Sequence, residues 1–462
     1  MLAILPYHWE IEADVVDDSL ATALHERGAK MSKDYVRALN DAAAAFSAGL
    51  SRAEKLAILS ALKESVEANQ ELYIGHIVRE AKKPRALARA EAGRALGNID
   101  EALHFLSKPQ DRLVELSPSL TGESRKGVWR AFARGVVVGI TPYNFPLNLV
   151  LHKVLPAICA GAPIIIKPDP RTPSAACELE KALLAAGLPK GFVQVLELSV
   201  EETEAMCSDE RVEVISFTGS EKVGWHLKRL FPSKHVVLEL GGTATAIYAK
   251  PTLESEDVMA LSRAALAYSG QVCISTQNVL LPAPMMETAK QLFEEHLREF
   301  KRGNPERDDT LYGPLIGERH RQRMIELFAR SAEEGAEVLV LGEDEGDNLA
   351  ARLVTLPHDQ FEIAREEIFG PALVLIPYLD QTDAERIFAE LKSTLQAAVF
   401  TDDDALWETY QNRLRTGALL RNHPPTFRQD GMPYGGVKTS GIGREGVAYA
   451  FEEFSERRLL IA

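Results

Sequence analysis

Cys273 is the side chain whose type most directly suggests chemistry in this sequence. It stands in "AYSGQVCIST" (267–276), between a helix-like run and a strand-like run. A thiolate is a nucleophile, whereas a buried cysteine is more often a small apolar core residue. The other cysteines (Cys159, Cys177 and Cys207) have no CxxC spacing and no accompanying histidine cluster. We therefore expect no metal site, no disulfide framework and a reducing, cytoplasmic location.

Two glycine-containing stretches could face a phosphate group. "GIGREG" (441–446) has the G-x-G-x-x-G spacing, but it follows a loop, and the chain ends too soon for the usual downstream acidic residue. We expect it to be a closely packed loop. "FTGSEKVG" (217–224) lies where a predicted strand meets a predicted helix, so Gly219 and the helix N–H groups could contact phosphate. An ordinary tight turn is the alternative there.

The elements that must position these residues alternate between strands and helices. Residues 34–107 are expected to be helical, because Val36, Leu39 and Ala43 step by three and four. Apolar runs rich in β-branched residues predict strands at 135–141, 163–167, 192–196, 212–219, 235–242, 337–342, 372–378, 397–402 and 417–422. This pattern predicts an α/β fold with two parallel sheets, whose ligands bind at the carboxyl ends of the strands.

Length and charge limit the function classes. The 462 residues suffice for two or three domains, and the formal net charge of −15 disfavours nucleic acid or an anionic membrane as the main partner. No segment approaches the roughly 18 uninterrupted apolar residues of a membrane span. The first residues, "MLAILPYHWEIEADVV", lack the features of a signal peptide. We expect no nucleic-acid partner and no membrane partner.

Seven stretches, in order and at near-family spacing, resemble the NAD(P)-dependent aldehyde dehydrogenase superfamily. They are "TPYNFPLN" (141–148), "IIIKPDPRTP" (164–173), "FTGSEKVG" (217–224), "LELGG" (238–242), "GQVCIS" (270–275), "EEIFGP" (366–371) and "PYGGVKTSGIGREG" (433–446). The resemblance implies two doubly wound parallel-sheet domains plus a small β oligomerisation element. The expected boundaries are 1–118 and 138–241 for a Rossmann-like dinucleotide-binding domain, 242–440 for a catalytic domain, and 119–137 and 441–462 for the oligomerisation element.

The resemblance also implies a mechanism. Cys273 matches the nucleophile that forms a thiohemiacetal with an aldehyde, and hydride transfer to NAD or NADP then gives a thioester. Glu239 matches the general base that activates water for hydrolysis. Asn144 matches the oxyanion donor, together with the backbone N–H of Cys273. Glu445 matches a second acidic residue that relays protons. The implied partners are a small aldehyde substrate and further copies of the chain, as a homodimer or homotetramer.

Cofactor and substrate contacts carry over by position. The implied cofactor contacts are Thr141, Pro142, Tyr143, Lys167, Phe217, Thr218, Gly219, Ser220, Gly224, Leu240, Gly241, Glu367 and Phe369. The implied substrate contacts are Phe145, Ile274 and Tyr434. Arg428, His423 and His152 could contact a polar substrate tail, with surface or packing roles as the alternative.

Two positions depart from the family pattern. Pro170 stands where NAD-preferring members often carry glutamate, so we expect both cofactors to be used. Asn278 stands where many members place an arginine that faces anionic substrates in some of them, so a strongly anionic substrate is less favoured. Two other functions stay open: an acylating dehydrogenase that passes the thioester to coenzyme A, which Glu239 disfavours, and a non-catalytic binding protein on the same fold.

Overall fold

The computed structural model describes residues 34–116, 125–392 and 394–461. In chain order the α-helices are α1 (Asp34–Ala48), α2 (Arg52–Ala68), α3 (Gln70–Ala81), α4 (Arg85–Ser107), α5 (Asn148–Ala160), α6 (Ser174–Ala185), α7 (Val200–Ser208), α8 (Glu221–Leu230), α9 (Ser255–Leu266), α10 (Met286–Glu299), α11 (Glu318–Glu333), α12 (Glu362–Arg365), α13 (Gln381–Glu390), α14 (Asp404–Arg413) and α15 (Val447–Phe454). Short 3-10 segments are Ala267–Gly270, Ala283–Met285 and Lys438–Ser440. Within these described ranges, no helix is both long enough and apolar enough to cross a bilayer.

The strands form three sheets. In chain order they are β1 (Arg112–Glu115), β2 (Lys126–Ala133), β3 (Val136–Ile140), β4 (Ile164–Lys167), β5 (Val193–Val195), β6 (Val212–Gly219), β7 (His235–Leu240), β8 (Thr245–Tyr248), β9 (Asn278–Pro282), β10 (Glu337–Leu341), β11 (Ala351–Thr355), β12 (Ala372–Tyr378), β13 (Gln396–Phe400), β14 (Ala418–Arg421), β15 (Gly441–Ile442) and β16 (Ser455–Ile461). Each of the nine predicted strands is present, and the sequence pattern missed β1, β8, β9, β11 and β15.

The first sheet has the strand order β15-β7-β6-β3-β4-β5, parallel except for the short edge strand β15. The chain therefore winds outward in both directions from β3. Ile140, the last residue of β3, pairs with Lys167 on β4 and with Phe217 on β6. The loops that follow these three strands emerge side by side, at the place where ligands of such sheets bind.

The second sheet has the order β10-β11-β12-β9-β8-β13-β14, and all its neighbours are parallel except β10 and β11. Its central strands are apolar and buried, with Val279, Leu373 and Phe400 fully inaccessible to solvent. Such continuous apolar strands are typical of a sheet whose two faces are both covered by helices. The two sheets confirm the predicted α/β class.

The helices that precede the first sheet pack against its helical layer. Along α4, the side chains of Ala88, Ala92 and Ala95 recur at intervals of four and three and are fully buried. These side chains are small, and α4 packs against α5 within a common apolar core. The contact brings the middle of α4 to the functional cavity described below.

The third sheet is small and antiparallel, with the order β1-β2-β16. Three strands lie in whole or in part in a different sheet from the one that the expected domain boundaries imply. β1 joins this sheet rather than the first, β3 enters the first sheet two residues before the expected boundary at 138, and β15 pairs with β7. A two-residue strand such as β15 gives no readable sequence pattern; its position is set by the unpaired edge of β7. Residues 1–33 and 117–124 of those expected domains lie outside the described residues.

Candidate active site

Most of the predicted site residues line one cavity of about 490 Å³. The cavity opens among the loops after β3, β6 and β7 and the loop that carries Cys273. The predicted residues in its wall are Cys273, Glu239, Asn144, Pro142, Tyr143, Thr218, Gly219, Ser220, Leu240, Gly241, Glu367, Phe369, Phe145, Ile274 and Tyr434. Five predicted residues lie outside its wall: Thr141, Lys167, Phe217, Gly224 and Glu445.

A left-handed turn delivers Cys273 to the cavity. Tyr268, Ser269 and Gly270 have φ values of 54°, 56° and 66°, a conformation that is costly for residues with a side chain. Tyr268 and Ser269, the two residues of this turn that carry a side chain, are each held by a hydrogen bond. Tyr268 Oη donates to the Ala81 carbonyl at 2.6 Å, and Ser269 Oγ donates to the Gly313 carbonyl at 2.7 Å. Only glycine fits at position 270, because a Cβ there would overlap the Gly370 carbonyl.

The thiol of Cys273 is partly buried and touches one hydroxyl. Its Sγ lies 2.7 Å from Tyr434 Oη. Burial is the main cause that raises the pKa of the thiol to about 12; the Tyr434 hydroxyl opposes this shift, and the nearby carboxyl groups of Glu367 and Glu239 contribute to it. The thiol is therefore protonated at neutral pH in this arrangement, and its activation requires a base.

Asn144 links the loop after β3 to the cysteine loop. Its Nδ2 donates to the Gln271 carbonyl at 3.0 Å, and its buried Oδ1 has no partner among the described residues. An amide nitrogen carries two N–H groups. One is used by Gln271, so the other is free for an oxygen atom bound at Cys273.

Glu239 is a buried carboxyl group without a hydrogen-bond partner. Both of its oxygens are unpaired among the described residues, and the residue is only 3 % exposed. Burial and the charge of Glu445 raise the pKa of Glu239 well above its usual range. Gly435 provides the space beside it, because a Cβ there would lie 2.7 Å from Glu239 Oε1. An unpartnered carboxyl group with a raised pKa beside a thiol is suited to proton transfer.

Glu445 lies behind the cavity wall and is fully paired. Its Oε1 accepts from Lys153 Nζ at 2.9 Å and from Thr218 Oγ1 at 3.1 Å, and its Oε2 accepts from His152 Nδ1 at 3.1 Å. Burial alone would raise the pKa of Glu445, but Lys153 and His152 outweigh it and lower the pKa. Glu445 is therefore held as a charged group. "GIGREG" packs closely, as expected, because Gly441 and Ile442 pair with Glu239 and Leu238.

The "EEIFGP" loop forms another side of the cavity. Burial raises the pKa of Glu367 to about 7, while the Gly242 N–H, at 3.4 Å from its Oε1, acts in the opposite direction. A side chain at Gly241 would overlap this carboxyl group. The ring of Phe369 meets Tyr143 edge-on at 6.3 Å, so the loop after β3 and the "EEIFGP" loop are in contact.

The turn between β6 and α8 fits a dinucleotide phosphate. Ser220 is the N-cap of α8, and its side chain makes no capping hydrogen bond, so the first N–H groups of the helix lack a side-chain acceptor. Gly224 allows α8 to contact the Leu240 side chain, because a Cβ would overlap it. Phe217 lies in the apolar core beneath this turn.

The turn after β4 holds the residues relevant to cofactor choice. Lys167 is half-buried, and burial lowers its pKa; its carbonyl accepts from the Thr141 N–H at 3.2 Å. Pro170 is exposed. Arg171 lines the cavity, forms an ion pair with Asp169 at 2.6 Å and stacks over the Tyr143 ring at 4.6 Å. No carboxylate stands at position 170, and the carboxylate of Asp169 is engaged by Arg171.

Some sequence expectations about substrate contacts change. Asn278 does not face the cavity: it is fully buried in β9, and its Nδ2 donates to the Ala364 carbonyl at 2.9 Å. The position of Asn278 therefore gives no support to the expectation that a strongly anionic substrate is less favoured. Of the three residues weighed for a polar tail, Arg428 and His152 line the cavity, and His423 does not.

The cavity wall includes further residues to which the sequence analysis assigned no individual role. They are Arg94, Asn148, Leu149, Val272, Ile316, His320, Arg323, Leu395 and Thr426. Arg94 and Asn148 lie on helices whose periodicity gives no sign of a site. A search of the described residues finds no group of three His, Cys, Asp or Glu side chains arranged to hold a metal ion.

Comparison with known proteins places this geometry among related enzymes. The sequence matches the model of the aldehyde dehydrogenase family over residues 10–460. It is 30% identical over 412 residues to the 3-sulfolactaldehyde dehydrogenase of Priestia aryabhattai, covering 88% of this chain and 86% of that protein. It is 31% identical over 412 residues to the lactaldehyde dehydrogenase of Methanocaldococcus jannaschii, covering 87% of each.

Solved structures give the same result. The structure of aldehyde dehydrogenase 21 from Physcomitrella patens, in complex with the reaction product succinate, matches with a TM-score of 0.88 and 30% identity, covering 94% of this chain and 91% of that chain. The NADP complex of a glyceraldehyde-3-phosphate dehydrogenase from Methanocaldococcus jannaschii matches with a TM-score of 0.88 and 29% identity, covering 94% of both chains.

Proposed function

This chain belongs to the aldehyde dehydrogenase family and oxidises an aldehyde with NAD or NADP, and we propose that Cys273 and Glu239 carry out the covalent chemistry. One observation supports the assignment above all others. The thiol of Cys273, the unpartnered carboxyl group of Glu239 and the half-free amide of Asn144 line the same cavity. A nucleophile, a base and an oxyanion donor are the set that acyl chemistry on a thiol requires.

The first step joins Cys273 Sγ to the aldehyde carbon. The thiol proton passes to an ionised Glu239, and the carbonyl oxygen becomes an alkoxide as the carbon–oxygen double bond is reduced to a single bond. The free N–H of Asn144 and the backbone N–H of Cys273 stabilise that oxygen. Because the thiol and this carboxyl group both have raised pKa values, only a minor ionised population is reactive at neutral pH.

The second step removes a hydride from the carbon attached to sulfur, which leaves a thioester on Cys273. The nicotinamide of NAD or NADP, when bound, supplies the hydride acceptor. The residues that would hold that cofactor are Thr218, Gly219, Ser220, Glu367 and Phe369, and the first N–H groups of α8, which lack a side-chain cap, would be available to its phosphates.

Hydrolysis completes the cycle. Once Glu239 has released the thiol proton to solvent, water adds to the thioester carbon and Glu239 takes a proton from that water. The carbon–sulfur bond then breaks to release the carboxylic acid, and the Cys273 thiolate takes the proton from Glu239 to restore the thiol. The raised pKa of Glu239 makes it a stronger base than an ordinary carboxylate. Tyr434 Oη, at 2.7 Å from Cys273 Sγ, is placed to donate a hydrogen bond to the departing thiolate.

An aldehyde panel with both cofactors tests this function. We expect NAD(P)H to form with a short aldehyde and water alone, and the rate to be independent of added coenzyme A. A strict requirement for coenzyme A would support the acylating alternative instead, because that reaction bypasses water activation by Glu239. Absence of NAD(P)H formation with every aldehyde of the panel and with both cofactors would support a non-catalytic binding protein.

The small third sheet supports a proposal about assembly. β16 is an edge strand of that sheet, and Leu459, Leu460 and Ile461 on it are exposed. Unpaired edges with apolar side chains favour pairing between subunits. We propose a homodimer or homotetramer that uses this sheet, which light scattering coupled to gel filtration measures. The four cysteines are unpaired, which supports the proposal of a reducing, cytoplasmic location.

A further inference from the structure

One part of the cavity wall takes no part in the chemistry proposed above. It is formed by Arg94 on α4, by Asn148 and His152 on α5, and by Arg428 in the loop after β14. The three side chains Arg94, His152 and Arg428 line the same cavity, and the charge of Arg94 contributes to the lowered pKa values of His152 and Arg428. The three elements that contribute them are distant in sequence, so this group exists only in the folded protein.

Three atoms of this wall have no hydrogen-bond partner among the described residues. They are Arg428 Nη2, Asn148 Nδ2 and His152 Nε2, and all three are inaccessible to solvent. Asn148 and His152 are only 2 % and 6 % exposed as whole residues. Buried polar atoms are nearly always paired, so unpaired ones in a cavity wall are candidate ligand contacts.

This part of the wall carries more positive charge than its acidic partners neutralise. Arg94 is paired with Asp430 at 2.6 Å, and Lys153 behind the wall is paired with Glu445 at 2.9 Å. Arg428 forms no ion pair in the described part of the chain; its Nη1 donates only to the backbone, to the Met432 carbonyl at 2.9 Å and to the Gln429 carbonyl at 3.2 Å. Burial lowers the pKa of Arg428, which is the expected effect on a cation without a close counter-charge.

His152 offers a hydrogen-bond acceptor, whereas Arg428 and Asn148 offer donors. Burial lowers the pKa of His152, so the ring is neutral, and its Nδ1 donates to the charged Glu445. Its Nε2 is therefore a lone-pair acceptor. His152 is suited to a hydroxyl group rather than to an anion, which leaves Arg428 and Asn148 as the donors.

The distance from Arg428 to the reacting sulfur fits a short molecule. The guanidinium carbon of Arg428 lies 4.4 Å from the centre of the Tyr434 ring, and the hydroxyl of that ring lies 2.7 Å from Cys273 Sγ. A single tyrosine side chain thus separates the cation from the nucleophile. A chain of a few carbon atoms spans the same interval.

We propose that Arg428 and Asn148, supported by Arg94, form an oxyanion-binding subsite, and that the preferred substrate is a short aldehyde with a carboxylate or sulfonate at its far end. Arginine suits this role because its planar N–H groups match such oxyanions. The proposal rests on the function proposed above and names its substrate class. It also replaces the expectation drawn from Asn278.

A matched pair of aldehydes provides the first test. We expect the parent enzyme to oxidise 4-oxobutanoate with a kcat/KM about 100-fold above that for butanal, which has the same carbon chain without the carboxylate. Equal or better use of butanal would overturn the subsite and leave the aldehyde dehydrogenase function intact. Failure to oxidise any aldehyde would instead contradict the proposed function.

Substitution of Arg428 gives the second test. In Arg428→Met the preference for 4-oxobutanoate over butanal should fall at least about 30-fold, mainly through KM, and Arg428→Lys should restore part of it. Arg413→Met, which removes an exposed arginine from α14, is the matched control and should keep the preference of the parent. An equal loss for both aldehydes would show that Arg428 only supports its loop, and would overturn the proposal.

Inhibition of the parent enzyme tests the subsite without any substitution. Succinate and methanesulfonate should inhibit butanal oxidation competitively with the aldehyde, and succinamide, the neutral diamide of succinate, should be at least about 10-fold weaker. Equal inhibition by succinate and succinamide, or no inhibition by either anion, would overturn the subsite.

Discussion

Glu239 and Glu445 are two buried glutamates of the same cavity region, and their pKa values are shifted in opposite directions. Both residues are at most 3 % exposed. The pKa of Glu239 is raised well above the usual range, whereas the pKa of Glu445 is lowered. The edge strand β15 lies beside Glu239 on β7, so the two segments are held together.

The difference arises from hydrogen-bond partners rather than from burial. Glu445 accepts from Lys153, His152 and Thr218, whereas neither oxygen of Glu239 has a partner among the described residues. The charge on Glu445 further disfavours a second charge on Glu239. Two titratable groups whose surroundings move their pKa values apart take different roles in chemistry. We assign proton transfer to Glu239 and a fixed negative charge to Glu445.

The largest expected effect comes from replacing the nucleophile Cys273 while Glu239 and Glu445 stay in place. Cys273→Ala should lower aldehyde oxidation by at least about 10⁴-fold, because no other thiol lines the cavity. Cofactor binding, measured by quenching of protein fluorescence, should persist. Cys177→Ala, outside the cavity, is the control and should retain activity. Turnover by a folded Cys273→Ala protein would contradict the thiohemiacetal mechanism.

The next test separates the two halves of the cycle at the unpartnered glutamate. Glu239→Gln should give a burst of NAD(P)H near one per active site, followed by steady turnover about 10²- to 10³-fold slower, because the thioester forms but water is not activated. Stopped-flow absorbance measures both phases. Glu180→Gln removes another partly buried carboxyl group whose pKa is raised, outside the cavity, and should behave as the parent. Steady turnover at the parental rate would show that Glu239 is not the base; absence of a burst would place its action earlier.

Removal of the paired glutamate should reduce stability. Glu445→Gln leaves the buried ammonium of Lys153 without its counter-charge and should lower the free energy of unfolding by about 3 kcal/mol at pH 7. The folded-state pKa of Glu445 is lowered, so its contribution is complete above the ordinary carboxyl pKa and is lost as the pH falls through the folded value. Urea unfolding at several pH values should therefore show the difference narrowing in acid. A difference that is constant with pH would contradict this account.

The smallest expected effect comes from Pro170→Glu, which introduces a glutamate at a solvent-exposed position. Pro170 is exposed, so the carboxylate of Pro170→Glu should have few partners and act only by its charge on a 2′-phosphate. We expect the parent to prefer neither cofactor by more than about 100-fold, which corresponds to roughly 2.7 kcal/mol, and the variant to move the kcat/KM ratio about 10-fold towards NAD. Pro170→Ala separates the charge from the loss of the proline ring. An unchanged ratio in Pro170→Glu would place the selector elsewhere.

Much of the fold follows from local patterns. The alternation of apolar β-branched runs with helical periodicity predicts the parallel sheets, because each run records which faces of an element must be buried. It did not predict β15, which is too short to have a pattern, or the short strands β1, β8, β9 and β11. The ordered motifs identified Cys273, Glu239 and Asn144 as candidates, and these side chains line one cavity.

The sequence by itself therefore determined much of the strand and helix pattern, the family motifs and the candidate reactive side chains. Only the tertiary structure decided which distant residues meet: Arg94 and Arg428 in the cavity wall, and Lys153 and His152 at Glu445. Periodicity reports burial of one segment and carries no information about the segment that faces it. The pKa of a buried carboxyl group depends on those facing partners, so the opposite states of Glu239 and Glu445 exist only in the folded chain.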